Sequence, residues 1–414
     1  MQFRRYLSAL VGVAALMVVG SGATASAASP AAPKAITIGT LYAGSGSYAT
    51  SSLPELAGLK FWISQVNRQG GVFVKAYDKK IPVNLVDYND QSDPNTATTL
   101  YAQLITQNKV NILVSDFGSV LTAAAVTVAK EHKVVLFDPT GTGSSFFTPP
   151  SPYIVLTSLP TSAVWPDSLG KYLIALHKKR VAIVYGTNDF DGAQDQTLTA
   201  ELKSAGITPV YNNGVDTSTS NYTVIIHQIA QTNPDAVIEF GYPTNDIPFF
   251  QNITAAGVHF PFVFTIFPGQ QLALLTQNVG AKALGYTYTY PTPPLLAYNS
   301  GVDYGLTLSA FTKAIEPQIH SAPNFLDIAG YQAGLVIQKT LGTAKSLSQL
   351  DLRAAAGKIS FFTLDGQYKL ASTGAQLGEL LPVAQLQPSK SGVAPVIVFP
   401  QSVATGKALP TPSH

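Results

Sequence analysis

Residues 137–145, FDPTGTGSS, group side chains suited to gripping an anion. Thr140, Thr142, Ser144 and Ser145 are spaced by Gly141 and Gly143, directly after the apolar run Val134–Phe137. Small residues at the end of a buried strand leave backbone N–H groups and hydroxyls uncovered, and both donate to negative charge. Three anions suit such a loop: a nucleotide phosphate, an oxyanion formed in a reaction, or the carboxylate of a ligand that is only held. A dinucleotide fingerprint would need glycine at 146, where Phe146 stands, and would follow the first strand, not a late one. No Gly-Lys-Ser/Thr occurs. Gly44-Ser45-Gly46-Ser47-Tyr48 has its second glycine one position too early for a nucleophile elbow. The sequence has no cysteine, and its 6 histidines are scattered without metal-ligand spacing. Asp87, Asp90 and Asp93 could suggest a cation, but Asp93 reads as a helix cap and the other two as the end of a strand. No metal, cofactor or catalytic set is therefore expected.

The elements that must carry this loop alternate regularly. Short apolar strands are expected over 35–46, 81–90, 110–119 and 133–139, with helices over 53–71, 93–107 and 120–132 between them. The rhythm resumes with strands at 180–186, 234–242 and 261–267. Nearly all-apolar strands separated by helices imply parallel sheets covered on both faces. In such sheets ligands lie beyond the carboxyl ends of the strands, which puts loops 43–48, 116–119 and 138–145 of one block opposite loops 186–192, 240–245 and 266–270 of the other.

The 414 residues suffice for two large lobes, and 46% of them are hydrophobic. Charged residues make up 12% and the net charge is +2, so a nucleic-acid partner is not expected. So few charges give a surface suited to an acidic medium outside the cytoplasm. Residues 1–27 pair Arg4 and Arg5 with an apolar run too short to span a membrane and a small-residue cleavage site, Ala25-Ser26-Ala27. A cleaved export leader is expected, followed by a linker over 28–34 and a periplasmic or secreted protein without a lipid-anchor cysteine.

Several segments, in order, carry a resemblance. ITIGTLYAGSGSY, AGLKFWISQVNRQGGV, VDYNDQSDPNTATTLYAQLI, FFTLDGQYKLASTG and PVIVFPQSVATGK resemble, in order and spacing, the solute-binding proteins of ABC transporters of the branched-chain amino acid (leucine/isoleucine/valine-binding) type. These are type I periplasmic binding proteins. The resemblance implies an α/β fold of two Rossmann-like lobes with parallel sheets, joined by three crossings near 158, 291 and 361. Lobe one would comprise 35–158 plus 292–360, lobe two 159–291 plus 361–400, and 401–414 would be a tail. It also implies a monomer that closes around a small carboxylate-bearing solute and delivers it to a membrane permease; the alternative on the same fold is a ligand-sensing receptor domain.

Residue by residue, the resemblance places the ligand carboxylate on Ser119 and Thr142, with backbone donors from Gly118 and Thr140. Neutral donors hold an anion yet let it leave. Phe190 and Tyr242 would present rings to the rest of the ligand. The glutamate that pairs an amino-acid ammonium in this family falls on Ile266, flanked by Phe264 and Phe267, and no acid lies between Asp246 and Asp303. The expected ligand is therefore an aromatic or branched organic acid without an amine, unless Glu239 or Asp189 takes the ammonium.

Overall fold

Apolar strands followed by helices return in the same direction, and the sheets they build are accordingly parallel at their cores. In the computed structural model, residues 31–297, 301–378, 381–390 and 392–412 are described, and Lys34–His414 form one unit. The leader expected over 1–27 lies outside the described residues.

The first lobe runs β1 (Ile36–Tyr42), α1 (Ala49–Arg68), a small hairpin of β2 (Val72–Val74) and β3 (Lys79–Ile81), β4 (Val83–Asn89), α2 (Pro94–Thr106), β5 (Ile112–Val114), α3 (Gly118–His132), β6 (Leu136–Asp138) and β7 (Ile154–Leu156). Its sheet has the order β4-β1-β5-β6-β7, parallel throughout. The second lobe runs α4 (Asp167–Ala175), β8 (Val181–Gly186), α5 (Asp189–Ser204), β9 (Tyr211–Val215), α6 (Thr223–Gln231), β10 (Ala236–Phe240), α7 (Pro243–Ala256), β11 (Val263–Phe264), α8 (Leu272–Leu284) and β12 (Tyr288–Thr289).

The chain then returns to the first lobe with α9 (Leu308–Ile319), α10 (Phe325–Leu341) and α11 (Gln349–Ala356). Phe61 of α1 packs against Phe311 and Tyr331 of these helices at 5.5 and 5.6 Å between ring centres. A hairpin of β13 (Ser360–Thr363) and β14 (Gly366–Lys369) follows, then β15 (Val383–Ser389) and β16 (Gly392–Phe399). The last two strands join the second sheet, whose order is β16-β15-β12-β11-β10-β8-β9, as antiparallel neighbours at one edge.

The boundary expected at 361 is displaced. The hairpin is bonded to the first lobe: Ser158 Oγ donates to Asp365 at 2.6 Å, and Thr363 Oγ1 donates to Gln332 of α10 at 2.9 Å. Leu156 N donates to the Gly374 carbonyl at 3.0 Å. The chain thus leaves the first lobe after Gln376 and enters the second sheet at Val383. Asp365-Gly366 marks a tight turn between two strands and not a passage between lobes. The segment 401–412, expected as a tail, is tied to the second sheet: Leu409 exchanges hydrogen bonds with the Gln385 amide at 2.8 and 2.9 Å.

Candidate ligand-binding site

Helix α3 begins without a side-chain cap, so its first N–H groups must find partners elsewhere. Ser119, expected to end a strand, sits inside the first turn because β5 stops at Val114. Gly118 N donates to Thr140 Oγ1 at 3.0 Å, and Ser119 N donates to Tyr242 Oη at 3.0 Å. Gly118 has φ +73°, and a Cβ there would lie 3.1 Å from the Tyr242 oxygen, so glycine is what lets the phenol approach the helix end. Ser119 Oγ accepts from Gly143 N at 2.9 Å and is hydrogen-bonded to the same phenol. Tyr242 thus occupies the position expected for a ligand oxygen.

The 138–145 loop spends most of its backbone donors on itself. Asp138 accepts from Gly141 N at 2.6 Å and from the Thr140 N–H. Thr142 N turns back to the Thr140 carbonyl at 3.0 Å, and Ser145 N donates to Asp189 at 3.0 Å. The Thr140 hydroxyl donates to Glu55 at 2.6 Å, leaving it an acceptor toward Gly118. Burial pushes the Glu55 carboxyl well above the usual range and Asp138 up to about 7. The expectation that the loop's N–H groups would hold the anion is therefore not met. Two hydroxyls of the loop, Thr142 and Ser144, are buried without a hydrogen-bond partner, and Thr142 is the one that lines the cavity.

Gly118, Thr140, Thr142, Phe190, Tyr242 and Phe267 line one cavity of about 20 Å³ between the lobes. That is room for roughly one water, so the rings must part to admit anything larger. Tyr242 stands at their centre, 5.3 Å from Phe190, 5.4 Å from Tyr48, 5.7 Å from Phe117 and 5.9 Å from Phe267. Ile266 does not line the cavity. It is wholly buried, and its carbonyl accepts from Thr289 Oγ1 at 2.8 Å. The turn that follows β11 presents the next residue, Phe267, instead. Phe264 packs into the second core against Phe240 and Tyr290.

Among the described residues, no charged side chain lines the cavity. Asp189 accepts from Ser145 N and Oγ, at 3.0 and 2.7 Å. Glu239 is buried against Asp246; burial raises its pKa well above normal, and the neighbouring carboxyl adds to the rise. The acids at 87, 90 and 93 are likewise committed: Asp87 pairs with Lys60, Asp90 accepts from Ser92 N, and Asp93 caps α2 through Thr96 N. No group of acids and histidines among the described residues is arranged for a metal.

Sequence reasoning missed Phe117, Leu159, Trp165, Gln270 and Phe325, which also line the cavity. Leu159 and Trp165 follow the first crossing, and Gln270 ends the 266–270 loop, so their places were legible although their roles were not. An uncharged, ring-lined cavity at a helix N-terminus is built to hold an apolar body with a polar head.

A model of a family described as periplasmic binding protein matches residues 35–392. The Leu/Ile/Val-binding protein of Citrobacter freundii is 23% identical over 259 residues, covering 62% of this chain and 68% of that protein. The Leu/Ile/Val-binding protein of Escherichia coli K12 is 21% identical over 256 residues, covering 62% and 67%. Among solved structures, the branched-chain amino acid transporter substrate binding protein LivJ of Streptococcus pneumoniae, in complex with isoleucine, superposes with a TM-score of 0.73 at 19% identity, over 89% of this chain and 100% of that one. An ABC transporter solute-binding protein of R. palustris, in complex with benzoate, superposes with a TM-score of 0.72 at 20% identity, over 91% and 97%.

Proposed function

The chain belongs to the periplasmic binding protein family, and from that premise we propose that it is the extracytoplasmic solute-binding component of an ABC importer. It closes its two lobes around a small carboxylate-bearing solute and delivers it to a membrane permease. Among the described residues no helix is long and apolar enough to cross a membrane. The protein binds and releases and does no chemistry on its ligand.

The ligand we infer is an aromatic or branched organic acid without an amine. The carrying observation is the cavity lining: rings, hydroxyls and an amide, without a carboxylate. A buried ammonium left without an anionic partner costs several kcal/mol. A carboxylate, by contrast, meets the unpartnered Thr142 hydroxyl beside the positive end of α3. Solved relatives of this fold hold both kinds of ligand, isoleucine in one and benzoate in another.

A thermal-shift panel tests the reading. Benzoate and branched keto acids are expected to raise the melting temperature, and leucine, valine and phenylalanine to leave it unchanged. Stabilisation by the free amino acids alone would overturn the amine-free ligand. A sensor role is separated from import by the neighbouring genes, where permease and ATPase genes support transport.

A further inference from the structure

Two successive glutamines end the loop that follows β11, and the structure uses them differently. Both amide ends of Gln271 are engaged across the cleft with α1: Ser51 Oγ donates to its Oε1 at 2.8 Å, and its Nε2 donates to the Thr50 carbonyl at 3.0 Å. Gln270 is equally buried, at 4% exposure, and lines the cavity, yet its Nε2 has no hydrogen-bond partner. Its backbone is held on both sides, Gln270 N donating to the Phe267 carbonyl at 3.0 Å and Phe325 N of α10 to the Gln270 carbonyl at 3.3 Å. The side chain is thus rooted in a fixed turn beside rings that offer no acceptor.

We propose that Gln270 is a specificity-determining residue that donates from Nε2 to a second oxygen of the ligand, so that the preferred solute is a hydroxy- or keto-substituted carboxylic acid. The inference rests on the ligand class proposed above and deepens it. The cavity contains two unpartnered polar atoms of opposite lobes, Thr142 Oγ1 and Gln270 Nε2. A ligand with a carboxylate alone satisfies the first and leaves the second buried without an acceptor. A site built to hydrogen-bond a substrate oxygen rejects the analogue that lacks it, because its own polar group is then left unpaired. An amide N–H makes no ion pair, so it recognises a neutral oxygen without attracting a second anion.

The test is calorimetry on pairs that differ by one oxygen. Benzoate is compared with its 2-, 3- and 4-hydroxy isomers, and 4-methylpentanoate with 4-methyl-2-oxopentanoate, on the wild type and on Gln270→Met. The wild type is expected to bind at least one oxygenated member about 2–10 times more tightly than its parent, the equivalent of one net hydrogen bond. Gln270→Met keeps the length of the side chain and removes the donor, and it should bring that ratio to about one. Gln270→Leu serves the same purpose if the methionine variant does not fold. A ratio that survives the substitution overturns the inference, as does a wild type that prefers both unsubstituted parents. If amino acids bind and no acid in the panel does, the amine-free reading fails by itself. Gln270 is then judged on the tyrosine-to-phenylalanine ratio, which Gln270→Met must abolish if the inference is right.

Discussion

The hydroxyls around the cleft are not equivalent, although in sequence they look alike. Thr140 gives its proton to Glu55 and its lone pair to Gly118 N, so it is a structural strut. Ser119 N donates to the Tyr242 phenol, and the Ser119 hydroxyl is hydrogen-bonded to the same oxygen. Among the described residues of this loop Thr142 and Ser144 each bury a hydroxyl without a partner, and of the two Thr142 lines the cavity. A ligand carboxylate must displace the phenol to reach Ser119, whereas it gains the Thr142 bond outright. Thr142→Ala is therefore expected to weaken binding of the tightest acid in the panel by about 1.5–3 kcal/mol, the range for a hydrogen bond to a charged group. Ser119→Ala should cost less, since the lost hydroxyl only exchanges one oxygen partner, the phenol, for another. Calorimetry on both variants checks the order; equal losses, or a larger loss at Ser119, would show that the phenol does not compete. Residue types and loop positions were legible in the sequence here. The partner of each oxygen was not, because those partners come from distant elements.

At the scale of elements, the crossing of α1 and α10 sets the depth of Glu55 under the cleft. The two helices meet through glycines: a Cβ on Gly330 would fall on the Glu55 carbonyl, and one on Gly58 on the Asp327 carbonyl. Gly334 likewise makes room for the Trp62 ring. Overpacking a close contact costs roughly 1–3 kcal/mol, and more where rigid backbone opposes it. Gly330→Ala should therefore lower stability by at least about 2 kcal/mol and weaken ligand binding too, because Glu55 would be pushed from Thr140. Chemical denaturation together with calorimetry measures both. A variant as stable as the wild type would mean that the helices slide apart cheaply. Helix periodicity announced α1 and α10 separately, but that they touch through Gly58 and Gly330 appears only when they are packed. The hairpin at 360–369 teaches the same lesson: its turn was plain in Asp365-Gly366, and its lobe was decided by Ser158 and Gln332.

At the scale of the molecule, the notable feature is how many acids are buried without cations. Burial is the first cause that pushes Asp138, Asp246, Asp327 and Asp365 each up to about 7 and Asp116 up to about 8. The opposing contributions come from hydroxyls and backbone N–H groups, such as Ser115 and Gly141 on Asp138 and Ser158 on Asp365. Their folded values lie above the unfolded value of 3.8, so between about pH 4 and 8 the native state binds more protons than the unfolded chain. Stability is then fully present below about pH 4 and is lost as pH rises through 7 to 8. The melting temperature should climb by several degrees on acidification from pH 8 to about 4.5. A scan by differential calorimetry that stays flat or falls over that range would contradict the burial of these carboxyls as neutral acids.

The sequence alone determined the alternation of strand and helix, hence two α/β lobes with a cleft at the carboxyl ends of their strands. It also put the small and hydroxyl residues of 138–145 in a loop at that cleft. Both follow from local chemistry: apolar periodicity selects the element, and small or hydroxyl residues select the loop. The tertiary structure alone decided that Tyr242 reaches Ser119 across 123 residues of chain, that Phe267 and not Ile266 faces the cavity, and that Gln270 keeps a free donor while Gln271 spends both ends of its amide. Those outcomes depend on how far apart two remote backbones are held, a quantity set by the packing of whole elements and carried by no single stretch of sequence.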